Sequence, residues 1–356
     1  MGLVTNLTDF AVGHLAGKDH LGATQAVCIV KATYRWDDRG LVTPAKAPDP
    51  IHEADVYAGK PDVSGLVLAT DLSPPKPRVD VLLAGEIVFP APITQADVTL
   101  EIGRRLRKTV RVFGERSWYP SVRQDLAPSR PKPIARIAVA WEKSFGGTDP
   151  KDPAIVERRN PVGAGLRRRP EDLLGYPVPS FEDPARPINS PKDRPAPQGF
   201  GPIAPHWLPR ATLAGTYDER WEKERKPLLP EDFNPAFFNV APVDQQLDGF
   251  VAGEEVRLTS MTPAGRERFV LPDLGVPVTF VGDELVTETA AAVDTIVISP
   301  AARQFSLVAR ASFSPRPTIL SLRQIVVGLA SQGRRRAIQT GKVYADWRSA
   351  RAKEKA

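Results

Sequence analysis

Four aspartates carry the residue type and spacing for paired-carboxylate hydrolysis of a glycosidic bond: Asp149, Asp218, Asp232 and Asp244. That chemistry needs two carboxyl groups facing one another across a cleft, one kept protonated as the acid. Each of the four stands beside a turn former, in GGTDP, GTYD, PEDFNP and APVD. Aspartate accepts backbone N–H bonds at turns and helix caps, which accounts for all four without catalysis. Other catalytic signatures are missing: there is no GxSxG elbow, P-loop, HExxH or cysteine pair for zinc. The histidines, His14, His20, His52 and His206, are too dispersed to pair on one element. His206, within PHWLPR, reads as a packed or hydrogen-bonded core histidine rather than a base. The glycine clusters NPVGAG (residues 160–165) and QGFGP (residues 198–202) offer bare backbone to a phosphate. Neither follows a clear strand and opens a helix, as phosphate cradling requires. The arginines of GRRLRK (residues 103–108) are positive charge at an exposed turn, an ordinary arrangement.

Positioning such residues takes a core, and 356 residues with 42% hydrophobic and 25% charged content can build one. The unusual component is proline, 37 residues, roughly twice average usage. Proline breaks helix interiors, so long helices should be few. The single cysteine, Cys28, lies in the apolar run AVCIV and reads as a small hydrophobe in a reducing compartment. No secretory leader or membrane-spanning stretch is apparent, so a cytoplasmic location is expected. The net charge is +6, unevenly distributed: from Arg303 onward there are 12 Lys/Arg against only Asp346 and Glu354. A basic tail, with Arg334, Arg335 and Arg336 at its centre, suggests a docking element or a nucleic-acid patch. A solvated helical face explains it as well, and the tail lacks the interleaved aromatics that favour nucleic acid.

The period of two dominates the chain. QAVCIVKATYRW (residues 25–36) reads as a buried strand and DDRG as the turn that follows. VDVLLAGEIVFP (residues 79–90) is a further strand-length run. Val98, Leu100 and Ile102 alternate with polar residues before GRRLRK, and Val110 and Val112 do so after it, predicting a hairpin. IARIAVAW is strand-like and runs into EKSFGGTD. Residues 120–235 hold 21 of the 37 prolines with little periodicity. Beyond residue 246, EEVRLTSM, GRERFVLP, VPVTFVGD, AVDTIVISP and QFSLVARASF restore short strands, and from Ile325 the pattern turns helical. The expected fold is mainly β: antiparallel, sandwich-like sheets, a long Pro-rich irregular central region and a short C-terminal helix. Four regions follow: a β-rich 1–119, a motif-bearing 120–246, a β-rich 247–330 and a basic helical tail, 331–356. One echo crosses them. QAVCIVKATY and QFSLVARASF share Gln, an apolar centre, a basic residue, Ala, Ser/Thr and an aromatic, which suggests two related β modules side by side.

The densest segment is GTYDERWEKERKPLLPEDFNPAFFNVAPVDQQ (residues 215–246), rich in aromatics and prolines without a clear period. Rigid loops that present Tyr, Trp and Arg suit a docking surface. Its Phe side chains read as buried, whereas burial and docking both remain open for Tyr217, Trp221 and Trp207.

The order of motifs carries a resemblance. RKTVRVFGERSW, WEKSFGGTDP, NPVGAG, QGFGPIAPHWLPR, AGTYDERW, LPEDFNPAFFNVAPVDQQ and GEEVRLTSM follow one another between about Thr8 and Arg310. In this the chain resembles a bacterial family of domains of unknown function encoded beside type VI secretion genes. The resemblance implies a non-enzymatic adaptor or chaperone that binds a cognate effector toxin and helps load it onto the VgrG/PAAR spike. It implies no cofactor and no catalytic residues. Candidate partner-binding residues are Tyr217, Trp221, Trp207, Arg210, Phe145 and the tail arginines Arg334, Arg335 and Arg336. Two other readings stand beside it: a carbohydrate-active β protein using Asp218 with Asp232 or Asp244, and nucleic-acid binding through the tail.

Overall fold

The segment Thr24–Trp36 alternates its side chains between two buried environments, and that alternation organises the molecule. Ala26, Cys28, Val30, Ala32, Tyr34 and Trp36 face the main core, whereas Val27 and Ile29 belong to a separate cluster on the opposite face. Burial on both faces explains the near-continuous apolar run in the sequence. The computed structural model describes residues 3–61, 63–121, 125–283, 286–314 and 322–330. Strands make up 44% and helices 9%, so the mainly β expectation holds. Among the described residues the one α-helix is six residues long, Glu219–Glu224.

Three sheets carry the core. The largest runs in the order Gln246–Leu247, Val79–Leu83, Ala292–Ser299, Gln304–Phe313, Thr24–Trp36 and Ala11–Lys18, with Val42–Pro44 also on Thr24–Trp36. Its one parallel pair joins Val79–Leu83 to Ala292–Ser299. A five-stranded sheet contains the expected hairpin, Gln95–Ile102 and Leu106–Phe113, with Val98, Leu100, Ile102, Val110 and Val112 buried. A four-stranded sheet pairs Leu3–Asn6, Leu322–Val327, Pro277–Gly282 and Val286–Ala290. Aromatic stacks tie sheet to sheet. Phe269 of the five-stranded sheet lies 4.4 Å from Trp36 and 4.7 Å from Phe305. Phe280 of the four-stranded sheet lies 5.4 Å from Phe313.

Two expectations need correction. The run at residues 79–90 is two strands, Val79–Leu83 and Glu86–Ile93, which belong to different sheets. Gly85, at φ +80°, turns the chain between them, a conformation glycine adopts without steric cost. The run beginning near Ile325 is strand, not helix: Leu322–Val327 pairs with neighbours on both sides. An apolar run this short does not distinguish the two by periodicity. The proposed C-terminal helix and Arg334, Arg335 and Arg336 lie outside the described residues.

The echoing segments are neighbours in one sheet. Val30 stands opposite Ala309, Lys31 opposite Val308 and Arg310 opposite Ile29. Their matched basic residues therefore share the outer face, and both turn onto one loop. Lys31 Nζ donates to Asp71 Oδ2 at 2.9 Å and to the Pro50 carbonyl at 3.0 Å. Arg310 donates to the carbonyls of Asp71 at 2.7 Å and Ser73 at 3.1 Å, and to the Asp294 carboxylate. A strap formed by residues 45–61 and 63–78 is thus clamped to the sheet by buried charge. Removing one partner of such a pair costs about 3–5 kcal/mol, because the other charge stays buried alone.

Cys28 provides a probe of this core. It is fully buried, and desolvation pushes its thiol up to about 12. Thiolate is the reactive form, so the native protein should resist an aromatic disulfide reagent at pH 8 and react fully in denaturant. Native labelling within minutes would show instead that the Thr24–Trp36 strand opens readily.

Candidate functional site

The central region packs onto the sheets as an irregular layer, and its sequence motifs interlock. Phe145–Gly146 pairs in parallel with Ala164–Gly165, so SFGGTD and NPVGAG form one unit. Inside it Asn160, fully buried, donates to the carbonyls of Trp141 at 2.8 Å and Phe145 at 2.9 Å. The Gly147 and Gly163 amides both point at the Asn160 carbonyl, at 2.8 and 3.3 Å. These amides serve the fold, so NPVGAG is not a phosphate cradle. QGFGP is structural too. Gly199 lies flat against the Trp141 ring, and the Phe200 carbonyl accepts from Leu83 N and Gln245 Nε2.

Three expected partner-binding residues prove to be buried. Trp207 is 1% exposed and meets Trp141 edge-to-face at 6.3 Å. Phe145 is 2% exposed and packs with Trp118, Leu173, Val178 and Ile188. Arg210 lies under the layer, donating to the carbonyls of Phe237 at 2.8 Å and Ile203 at 2.9 Å with its guanidinium over the Phe237 ring. Burial lowers the Arg210 pKa, with Asp55 and Asp80 opposing that shift. None of the three can touch a partner while the layer is folded. His206 differs in another way: it is exposed, and its Nε2 accepts from Trp207 Nε1 at 3.0 Å. It is hydrogen-bonded as expected but not part of the core.

The rim is formed by residues 216–232. Asp218 caps Glu219–Glu224 by accepting from Trp221 N at 2.8 Å. This helix was missed in the sequence, although an Asp cap followed by Glu219/Lys223 and Arg220/Glu224 at i,i+4 spacing marks it. Asp232 closes the loop by accepting from Thr216 N and Oγ1, both at 2.8 Å. Trp221 Nε1 donates to the Leu228 carbonyl at 2.8 Å, and Arg225 to the carbonyls of Leu229 at 2.7 Å and His20 at 3.2 Å. Held in this way, Trp221 meets Tyr217 edge-to-face at 4.7 Å. Tyr217 is 54% exposed and Trp221 half-buried. Phe233, Phe237 and Phe238 form a triangle with ring separations of 5.5–6.0 Å. Phe233 is buried and the other two are half-buried, close to the expected architectural role.

Two of the four candidate carboxylates belong to this rim. Asp218 and Asp232 line one polar cavity of about 450 Å³ with Arg220, Trp221 and Arg225. Hydrogen bonds from Thr216 hold the Asp232 carboxyl below its usual range, the reverse of what a general acid needs. Asp149 is likewise held low, by the backbone N–H groups of Arg168 and Lys151. Asp244 pairs with Lys108 Nζ at 3.0 Å. Lys108 is buried, which lowers its pKa against the pull of Asp244, and its ammonium also reaches Gln245 Oε1 at 2.8 Å. Among the described residues no three His, Cys, Asp or Glu side chains converge on a metal position, and no helix is long and apolar enough to cross a membrane.

Residues 21–310 match the model of a family described as "Uncharacterized protein conserved in bacteria (DUF2169)". The chain belongs to this family. The DUF2169 match covers every motif above, from the Thr24–Trp36 strand to Arg310, and stops short of the basic tail. No curated protein and no solved structure shows significant similarity to the chain.

Proposed function

We propose that this DUF2169 protein is a non-enzymatic adaptor that holds a type VI secretion effector and presents it to the VgrG/PAAR spike. The ordered series of motifs, with its resemblance to proteins encoded beside type VI secretion genes, motivates the reading. The observation that carries it is the Tyr217–Trp221 pair, in which an exposed tyrosine meets a tryptophan held through its backbone by the Asp218 carboxylate and through its ring by the Leu228 carbonyl. A preorganised aromatic loses little conformational entropy on docking, and Tyr and Trp are over-represented among residues that dominate interface energy. The rim also bears exposed charge of both signs, Arg220 with Glu224 and Glu231. Such a rim can set orientation while the aromatic edge supplies affinity. No observation favours the carbohydrate-active reading, because the carboxylates it needs are committed to backbone, hydroxyl or lysine partners.

The test is co-expression with the toxin encoded nearest its gene, followed by size-exclusion chromatography. A stable complex is expected, with toxin that precipitates when expressed alone. Tyr217→Ala should weaken that complex by roughly thirtyfold, the scale of a hot-spot residue, with native stability little changed because the side chain is 54% exposed. Separate elution of soluble toxin and this protein, even with the spike present, would overturn the adaptor reading.

A further inference from the structure

The strap does not close completely over the outer face of the seven-stranded sheet. Between them lies a cleft of about 380 Å³, within the roughly 300–1,000 Å³ usual for small-molecule sites. Its walls are mainly apolar: Leu68, Ala69, Leu82, Val240 and Val297. A few polar side chains converge on it, the usual composition of a specific ligand site.

The lysines around the cleft are already paired, and its unpaired carboxylate is held by neutral donors. Lys31 is paired with Asp71 at 2.9 Å and Lys76 with Asp80 at 2.8 Å. Asp49 accepts from Gln304 Nε2 at 2.9 Å and Ser306 Oγ at 2.7 Å. An anionic ligand would have to break one of the lysine pairs or enter a low-dielectric space without a counter-ion, and a cationic one would have to displace the Gln304 and Ser306 donors from Asp49; both are costly. His52 is the exception among the polar groups. Its backbone is fixed, with N donating to Asp71 Oδ2 at 2.8 Å and O accepting from Asp71 N at 2.8 Å. Its half-buried imidazole has no hydrogen-bond partner among the described residues. Burial and the nearby Lys31 ammonium lower its pKa, while Asp71 and Asp49 oppose them. That balance favours the neutral ring, which offers one donor and one acceptor.

We infer that the cleft binds an uncharged, mainly hydrocarbon ligand of small-molecule size, oriented by one hydrogen bond to the His52 imidazole. The site stands apart from the Tyr217–Trp221 rim and is independent of the adaptor reading.

Two dyes that share one hydrocarbon body test this on the full chain. N-phenyl-1-naphthylamine is neutral with a single N–H, and 8-anilino-1-naphthalenesulfonate adds a negative charge to the same frame. In fluorescence titrations at pH 7.5 the neutral dye should bind saturably at one site, at least about tenfold more tightly than the sulfonate. Ala69→Trp, which fills the cleft, should abolish that binding, and Leu68→Trp serves as a second filling variant should the first fail to fold by circular dichroism. His52→Ala should weaken binding about fivefold, the effect of one lost hydrogen bond. The inference fails if the neutral dye does not saturate or if the sulfonate binds equally well. It fails equally if folded filling variants, or His52→Ala, retain wild-type affinity.

Discussion

Asp80→Ala should lower the unfolding free energy by about 3–5 kcal/mol, measured by chemical denaturation, the range for an orphaned buried charge. Asp80 is completely buried in the Val79–Leu83 strand. One oxygen accepts from Lys76 Nζ at 2.8 Å and Val240 N at 2.9 Å. The other accepts from Asn239 Nδ2 at 3.0 Å and Ala241 N at 3.2 Å. Alanine would leave a buried ammonium and the Val240 and Ala241 amides without partners, while Asn239 Nδ2 would keep only the Arg78 carbonyl, and each unmet donor carries its own desolvation cost. The effect should not be confined to global stability. Asp80 is where the sheet grips the end of the central layer, so amide exchange at Val240 and Ala241 should accelerate beyond the global change. Asp80→Asn keeps the shape and loses the charge, and should fall between the two. Adding Lys76→Met to Asp80→Asn should recover part of the loss, since it removes the orphaned cation. A loss below about 1 kcal/mol for Asp80→Ala would mean that water or a side-chain shift rescues the site, and the carboxylate would not be the anchor described here.

The same residues show what the sequence does and does not reveal. Local geometry was legible. Val98, Leu100 and Ile102 alternate because successive strand side chains point to opposite faces, whatever they meet there. Asp218 reads as a cap residue because its partner, Trp221, lies three residues further on, whereas the partner of Asp232, Thr216, lies sixteen residues away and only its turn-forming neighbours marked it. Contacts between distant segments were not legible. Nothing local distinguishes Asp80, which holds residues 239–241, from an aspartate in an edge strand. Trp207 and Tyr217 both sit in aperiodic, Pro-rich chain, yet one is 1% and the other 54% exposed. Without a period, an aromatic carries no record of which way it faces. Arg210 looked like an interface arginine for the same reason. The echo between the Gln25 and Gln304 runs marks two adjacent strands of one sheet. Its matched basic residues turned out to grip one loop, through Asp71 and Ser73.

Gly146→Ala should cost about 3–5 kcal/mol, although it adds a single methyl group, because strain, steric overlap and lost hydrogen bonds act together. Gly146 has φ +148°, a backbone conformation that side chains rarely adopt. A Cβ placed there would lie 2.2 Å from the Asn160 carbonyl oxygen and 2.9 Å from its Cβ. Those atoms are backbone and a fully buried side chain, so neither can rotate aside. Relief requires residues 144–147 and 160–165 to separate, and that separation breaks Gly147 N to Asn160 O, Leu166 N to Gly146 O and both Asn160 side-chain donations. Phe145 and Trp141 would then lose the packing that seats them beneath the layer. Gly17→Ala is the appropriate control. That glycine lies in the Ala11–Lys18 strand with nothing within 4 Å of the added carbon, so its change should stay within about 0.5 kcal/mol. Equal stability changes for the two variants would show that the glycine pair tolerates a side chain. A large loss at Gly146 with near neutrality at Gly17 would instead establish the motif as a backbone lock on the layer that presents Tyr217 and Trp221.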